Sequence, residues 1–163
     1  MYIIDSNCFI QNYRSYNPMD IALSFWHKIT DLVKEGNIHS IDKVREELVK
    51  NKDDLSEWAK NMSQTFFFPI ASVEMQAYTN IVNWASRSDY KPQAKIRFMA
   101  PDYADPYLIA YALSHQAENV TIVTEEVSAR DSKKDIKLPD ACAHFQLRSI
   151  HFMEMLREMN VTY

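Results

Sequence analysis

The chain has 163 residues, 47% hydrophobic, 12% aromatic and 25% charged, with a formal net charge of −4; this suits one globular domain spanning 1–163 and argues against disorder. An acidic balance argues against a protein that coats nucleic acid with a basic surface, and a single glycine, Gly36, excludes the glycine-rich loops that cradle ATP or NAD phosphates. Cys8 and Cys142 form no Cys-x-x-Cys pair and read as buried thiols, while the lack of a long apolar run or a signal-peptide layout points to a cytoplasmic protein without a membrane partner.

Tyr2-Ile3-Ile4 is a short apolar run ending in Asp5-Ser6-Asn7, so a buried strand giving way to a helix is expected. Asn17-Pro18 should open a long helix with Ile21, Ala22, Phe25, Trp26, Ile29, Leu32 and Val33 on its core face and Gly36 as its stop. A strand around 38–40 leads through Asp42, placed as an N-cap, into a helix over 43–50. A polar helix with Leu55 and Trp58 follows, then a strand at 66–68 and a helix from near Ser72 carrying Val73, Ala77, Ile81 and Trp84. Asp105-Pro106 reads as an N-cap with first-turn proline, ahead of the apolar stripe Leu108, Ile109, Ala112 and Leu113. Val120-Thr121-Ile122-Val123 suits a strand buried on both faces of a parallel sheet. Residues 147–150 are a candidate last strand, and Phe152, Met155, Leu156 and Met159 form a helical stripe packed at home. Strands alternating with helices predict an α/β protein, a three-layer α/β/α fold around a mostly parallel sheet, with functional residues at the carboxyl ends of the strands.

Four acids fall where such a fold gathers chemistry. Asp5 directly follows the first strand, either as a site residue or as a plain helix cap. At ~100° per residue, Glu47 lies near the side of Val44 and Leu48, whereas Glu46 points nearly the opposite way. A carboxylate beside an apolar face requires a cation or a donor. Asp105 leans toward the core side of its helix, with capping as its alternative role, and Glu126 follows the 120–123 strand with Glu125 as its neighbour and rival. Several carboxylates converging on one point are what metal-assisted phosphodiester hydrolysis requires, and hard oxygen ligands suit Mg²⁺ or Mn²⁺.

The segments Tyr-Ile-Ile-Asp-Ser-Asn at 2–7, Ser-Ile-Asp-Lys-Val-Arg-Glu-Glu-Leu at 40–48, Ala-Asp-Pro-Tyr-Leu-Ile-Ala at 104–110 and Ile-Val-Thr-Glu-Glu at 122–126 together resemble the PIN-domain nucleases. The resemblance is closest to an uncharacterised bacterial branch related to the VapC toxins, and it extends to Phe25-Trp26, to 57–60, to 137–142 and to 154–158. It implies a PIN-like fold and an acidic quartet of Asp5, Glu47, Asp105 and Glu126, with Ser6, Asn7 and Thr124 as hydrogen-bonding neighbours. Metal would be held by Asp5, Asp105 and Glu126, with Asp140 a further candidate ligand or a cap for the helix after Pro139. Glu126 departs from the family, whose last acid is usually Asp.

The expected function is a Mg²⁺- or Mn²⁺-dependent endoribonuclease using a metal-activated water, the toxin of a toxin–antitoxin pair, silenced by a cognate antitoxin and capable of forming a homodimer. The alternative is a non-catalytic PIN-fold RNA-binding or scaffold domain. Haloacid-dehalogenase-type phosphotransfer ranks lower, because Asn7 stands where a second Asp is needed. Arg130, Lys133, Lys134 and Lys137, and separately Lys91, Lys95 and Arg97, either contact phosphates or form a solvated face. Tyr90 and Tyr103 either stack on unpaired bases or pack at the rim. His27, His39, His115, His144 and His151 show no ligand spacing.

Overall fold

Ile3 and Ile4, fully buried at the centre of the sheet, make β1 (Tyr2–Ile4) the strand around which the chain is organised. The computed structural model describes all residues, 1–163. Five parallel strands run in the order β3-β2-β1-β4-β5, where β2 is Ile38–Ile41, β3 Phe67–Phe68, β4 Thr121–Val123 and β5 Arg148–Ile150. Register pairs Ile3 with His39 on one side and with Ile122 on the other. The β-branched residues Ile3, Ile4, Ile122 and Val123 are covered on both faces, each burial contributing about 1.5–3 kcal/mol. The resulting three-layer α/β/α fold is the one expected, with the sheet parallel throughout.

Nine helices cover the sheet. They are α1 (Ser6–Gln11), which runs on into a π-helical turn over Asn12–Tyr16, α2 (Leu23–Lys34), α3 (Asp42–Leu48), α4 (Asp54–Asn61), α5 (Ser72–Arg87), α6 (Pro92–Phe98), α7 (Asp105–Ser114), α8 (Leu138–His144) and α9 (Phe152–Glu158). None is long and apolar enough to cross a membrane. Phe9, Phe25, Trp26, Trp58, Phe66 and Phe152 meet in tilted and edge-on ring contacts, so the Phe25-Trp26 segment of the resemblance is core and Trp58 packs half-buried against it. The indole N–H of Trp26 donates to Asn17 O at 2.7 Å and that of Trp58 to Thr30 Oγ1 at 3.0 Å.

Three local expectations change. The helix expected from Pro18 begins at Leu23, because the Trp26 indole holds the Asn17 carbonyl and the chain turns over Pro18 to Ala22 before entering the helix. Ile21 is therefore 80% exposed instead of facing the core. Asp42 is the first residue of α3 and not its cap; its Oδ2 accepts the Ile70 N–H at 3.1 Å. Val73 is exposed because the buried stripe of α5 runs through Glu74, Ile81 and Ala85, one position away.

Gly36 ends α2 as expected. Its φ of +71° lets its N–H reach Val33 O at 3.1 Å while Asn37 N–H reaches Leu32 O at 3.0 Å, the paired bonds of a Schellman stop. A Cβ here would meet nothing within 4 Å, so Gly36→Ala tests backbone strain alone. Urea denaturation should show a loss of about 1–2 kcal/mol; no loss would mean that the turn relaxes without cost.

Candidate active site

The chain runs from β1 outward to β2 and β3, then returns to place β4 on the other side of β1. That reversal opens a crevice at the carboxyl ends of β1 and β4, the position where open α/β sheets place ligands. Asp5 leaves β1 and Thr124 leaves β4, joined through Asp5 N–H to Val123 O at 2.9 Å. Asp5 occupies the N-cap position of α1, but its side chain caps nothing. Its Oδ2 accepts the Thr124 hydroxyl at 2.9 Å and its Oδ1 lies 3.4 Å from the Ser6 hydroxyl. Asn7 braces the pair, donating to Thr124 Oγ1 at 3.0 Å and accepting Glu125 N–H at 2.9 Å.

Glu47 bridges two elements that carry acids. Its Oε2 accepts the Ser6 hydroxyl at 2.6 Å and its Oε1 the Ala104 N–H at 2.9 Å, tying α1 to the start of α7. Glu46, by contrast, is exposed and pairs with Lys43 at 3.1 Å. Asp105 is the first residue of α7, with Ala104 as the N-cap, so the expected capping bond is absent. It is buried, and its Oδ2 has no hydrogen-bond partner. Leaving such an atom unmatched costs roughly 1–3 kcal/mol, and more for a charged group.

Glu126 closes the crevice from the loop after β4. Its Oε2 accepts the Leu138 N–H at 2.7 Å at the start of α8, and its Oε1 lies 3.3 Å from Lys137 Nζ. The rival acids are held elsewhere. Glu125 accepts the Phe152 N–H at 3.0 Å, which makes it the brace for the start of α9. Asp140 accepts the Ser128 hydroxyl and, at 2.8 Å, the Ala129 N–H. It neither joins the acids nor caps α8; it anchors the loop, and both the ligand and the cap expected of it are replaced by that role.

The electrostatics are those of like charges confined together with one cation, Lys137, at the Glu126 side. Burial, with the charges of Glu47 and Glu126 behind it, pushes the Asp5 carboxyl up to about 7 against the opposing Thr124 bond. Asp105 is raised well above its ordinary value by burial and then by Asp5, Glu126 and Glu47. Tyr103 faces Asp105, and burial together with Asp105 and Glu126 keeps its hydroxyl protonated. Burial likewise raises both thiols, Cys8 and Cys142.

No three acids, histidines or cysteines are gathered at ligand spacing around one point; Glu47 and Glu126 are engaged by backbone N–H groups. The donor set nevertheless fits a hard divalent cation, because Asp105 Oδ2 is a buried oxygen without a partner beside a second buried carboxylate. Asp5 and Asp105 are the residues that would hold it, with Glu126 joining if it left Lys137.

Of the expected cations, Lys137 reaches the site. Lys133 pairs with Asp89 at 3.1 Å, Arg97 with Asp135, and Lys95 Nζ donates to Ser86 O at 3.0 Å. Lys91 N–H donates to Lys133 O at 2.9 Å, which joins the two basic segments that the sequence separates. A cleft of about 540 Å³ lies at the opposite, amino ends of the strands, around Met1, Val120 and Arg148, away from the acids.

A family model described as a domain of unknown function, DUF4411, matches residues 2–163. No curated protein and no solved structure matches the chain.

The raised carboxyls set a sign for stability against pH. A folded-state value above the unfolded ~3.9 stabilises fully below about pH 4, and that contribution is lost as pH rises through the Asp5 value of about 7. In chelator, the wild-type melting midpoint should therefore fall between pH 5 and pH 8. Asp105→Asn should flatten the fall and raise the pH 8 midpoint by about 2–4 °C per kcal/mol of repulsion removed. Mn²⁺ should raise the wild-type midpoint and leave that of the variant unchanged.

Proposed function

We propose that this chain, which belongs to the DUF4411 family, is a nuclease that hydrolyses RNA phosphodiesters with Mg²⁺ or Mn²⁺ held at Asp5 and Asp105. The observation that carries the reading is the pairing of two buried carboxylates at the β1–β4 crevice, one with an unpartnered oxygen. Buried like charges destabilise a fold unless a cation neutralises them, and the PIN-domain resemblance assigns these same positions to metal.

When bound, the cation supplies Lewis acidity to phosphoryl oxygens and lowers the pKa of the attacking water. The chain's own groups orient the site. Thr124 fixes the Asp5 carboxylate, and Glu47 sets the position of Asp105 relative to Asp5 by holding Ser6 and Ala104 N–H together. Glu126, at the rim, is poised to accept a proton or to join the ligand set, and Lys137 beside it offers a positive charge to the substrate phosphate. By the same resemblance the setting is a toxin–antitoxin pair in which a cognate antitoxin covers the crevice, with a homodimer as the assembly.

Asp5→Asn should lower RNA cleavage more than about 100-fold, while Glu47→Gln, which touches a ligand's partner and not the cation, should lower it about 10–100-fold. Gel-based cleavage with purified protein and either cation reads both. Calorimetric titration with Mn²⁺ separates catalysis from a scaffold role: heat that vanishes in Asp5→Asn and Asp105→Asn supports the nuclease, and no wild-type heat rejects it.

A further inference from the structure

At the far end of α7 from Asp105, the His115 imidazole stands between two carboxylates. Its Nε2 lies 2.8 Å from Glu74 Oε1 on α5, and its Nδ1 lies 2.9 Å from Glu118 Oε1, in the 3-10 turn over Gln116–Glu118 that follows α7. An ionised carboxylate can only accept hydrogen bonds, so both ring nitrogens must donate, and that requires the imidazolium. The ring also lies nearly flat on Tyr111 at 4.2 Å and 15°, where the aromatic face favours a cation. Phe68 of β3 stacks on Tyr111 in turn, at 5.5 Å and 7°.

The two acids are not equivalent. Glu74 is buried, and its Oε2 accepts the Ala71 N–H at 2.9 Å, so it is fixed on both oxygens. Glu118 is exposed and is tethered through His115. Burial opposes the charge on His115, but the hydrogen bonds to Glu118 and Glu74, and their charges, raise it above the ordinary histidine value. Against its own burial, Glu74 is lowered by the His115 bond. The Tyr111 hydroxyl, the titratable group that α7 presents here, is pushed up to about 12 by burial and by Glu118 and Glu74, and stays neutral. Loss of the imidazolium proton would leave a ring nitrogen with its lone pair facing a carboxylate. Glu118 can turn away into water and Glu74 cannot, so the turn after α7 is the part that lets go.

We infer that His115 is a protonation-dependent latch, which as an imidazolium holds the link from α7 to β4 against α5 and releases that link when it loses its proton. A histidine whose folded value is raised stabilises fully below its unfolded ~6.5, and that contribution is lost as pH rises through the folded value. The segment released has a place in the molecule. Gln116 and Asn119 line the cleft of about 540 Å³ at the amino ends of the strands, with Met1, Val120 and Arg148 across from them. Release therefore frees one wall of that cleft, at the end of α7 and β4 opposite to the acids.

The test follows the His115 ring by NMR in the metal-free chain, its signal assigned by its loss in His115→Gln. The ring should titrate above the ~6.5 of an unperturbed histidine, and Glu118→Gln, at an exposed position, should bring the value down. Amide exchange at Glu118 and Asn119, corrected for the intrinsic rate, should lose protection across the same titration and show no such step in His115→Gln. The melting midpoint of the wild type should exceed that of His115→Gln by about 2–4 °C near pH 5.5, and the difference should vanish by about pH 9. Asp5 and Asp105 are common to both chains, so their own pH dependence cancels in that difference. If His115→Gln does not fold, Glu118→Gln serves in the same comparison. A ring value at or below ~6.5 overturns the latch, as does a midpoint difference that is the same at both pH values.

Discussion

Burial of the Asp5 carboxylate between the ends of β1 and β4 is the constraint on which the rest of the crevice depends. Parallel neighbours bring Asp5 and Thr124 side by side because Ile4 pairs with Val123 one residue earlier. The Thr124 hydroxyl then donates to Asp5 while accepting from Asn7 and from Glu126 N–H at 3.2 Å. One hydroxyl thus orders the starts of α1 and of the loop after β4. Because Asp5 is 2% exposed, its charge is felt by Asp105 and Cys8 with little screening.

The remaining acids build the walls. Glu47 bridges Ser6 and Ala104 N–H, Glu126 bridges the loop to Leu138 N–H, Glu125 braces Phe152 N–H, and Asp140 gathers Ser128 and Ala129. The segment between β4 and α8 has no regular structure and no glycine, and these carboxylates supply acceptors for N–H groups that helices or strands would otherwise satisfy. Among the four acids of the crevice, Asp105 has a buried oxygen free of such duties. That asymmetry ranks it with Asp5 as the centre of the site and places Glu47 and Glu126 in supporting positions.

The aromatic residues divide the same way. Phe9, Phe25, Trp26, Trp58, Phe66 and Phe152 form one apolar cluster with their polar edges satisfied inside. Trp84, Tyr90 and His144 gather at a charged edge instead. Trp58 and Trp84 are equally half-buried against the core, and what sets Trp58 apart is that its indole N–H is held by Thr30.

The β-prone apolar runs at 2–4 and 120–123, the Gly36 stop and the inward lean of Glu47 were legible in the sequence, because each follows from local periodicity or backbone preference. So was the α/β class, which alternation of short strands and helices implies. The start of α2 was not, since it depends on Trp26 reaching Asn17 across a turn. Nor could spacing decide among Glu125, Glu126 and Asp140: neighbours in a loop have no fixed period, and their directions are chosen by Phe152, Leu138 and Ala129 N–H groups distant in the chain. Local chemistry determined which residues were able to form a site; the return of the chain to place β4 beside β1 decided which of them meet, because a parallel sheet joins strand ends that the sequence holds far apart.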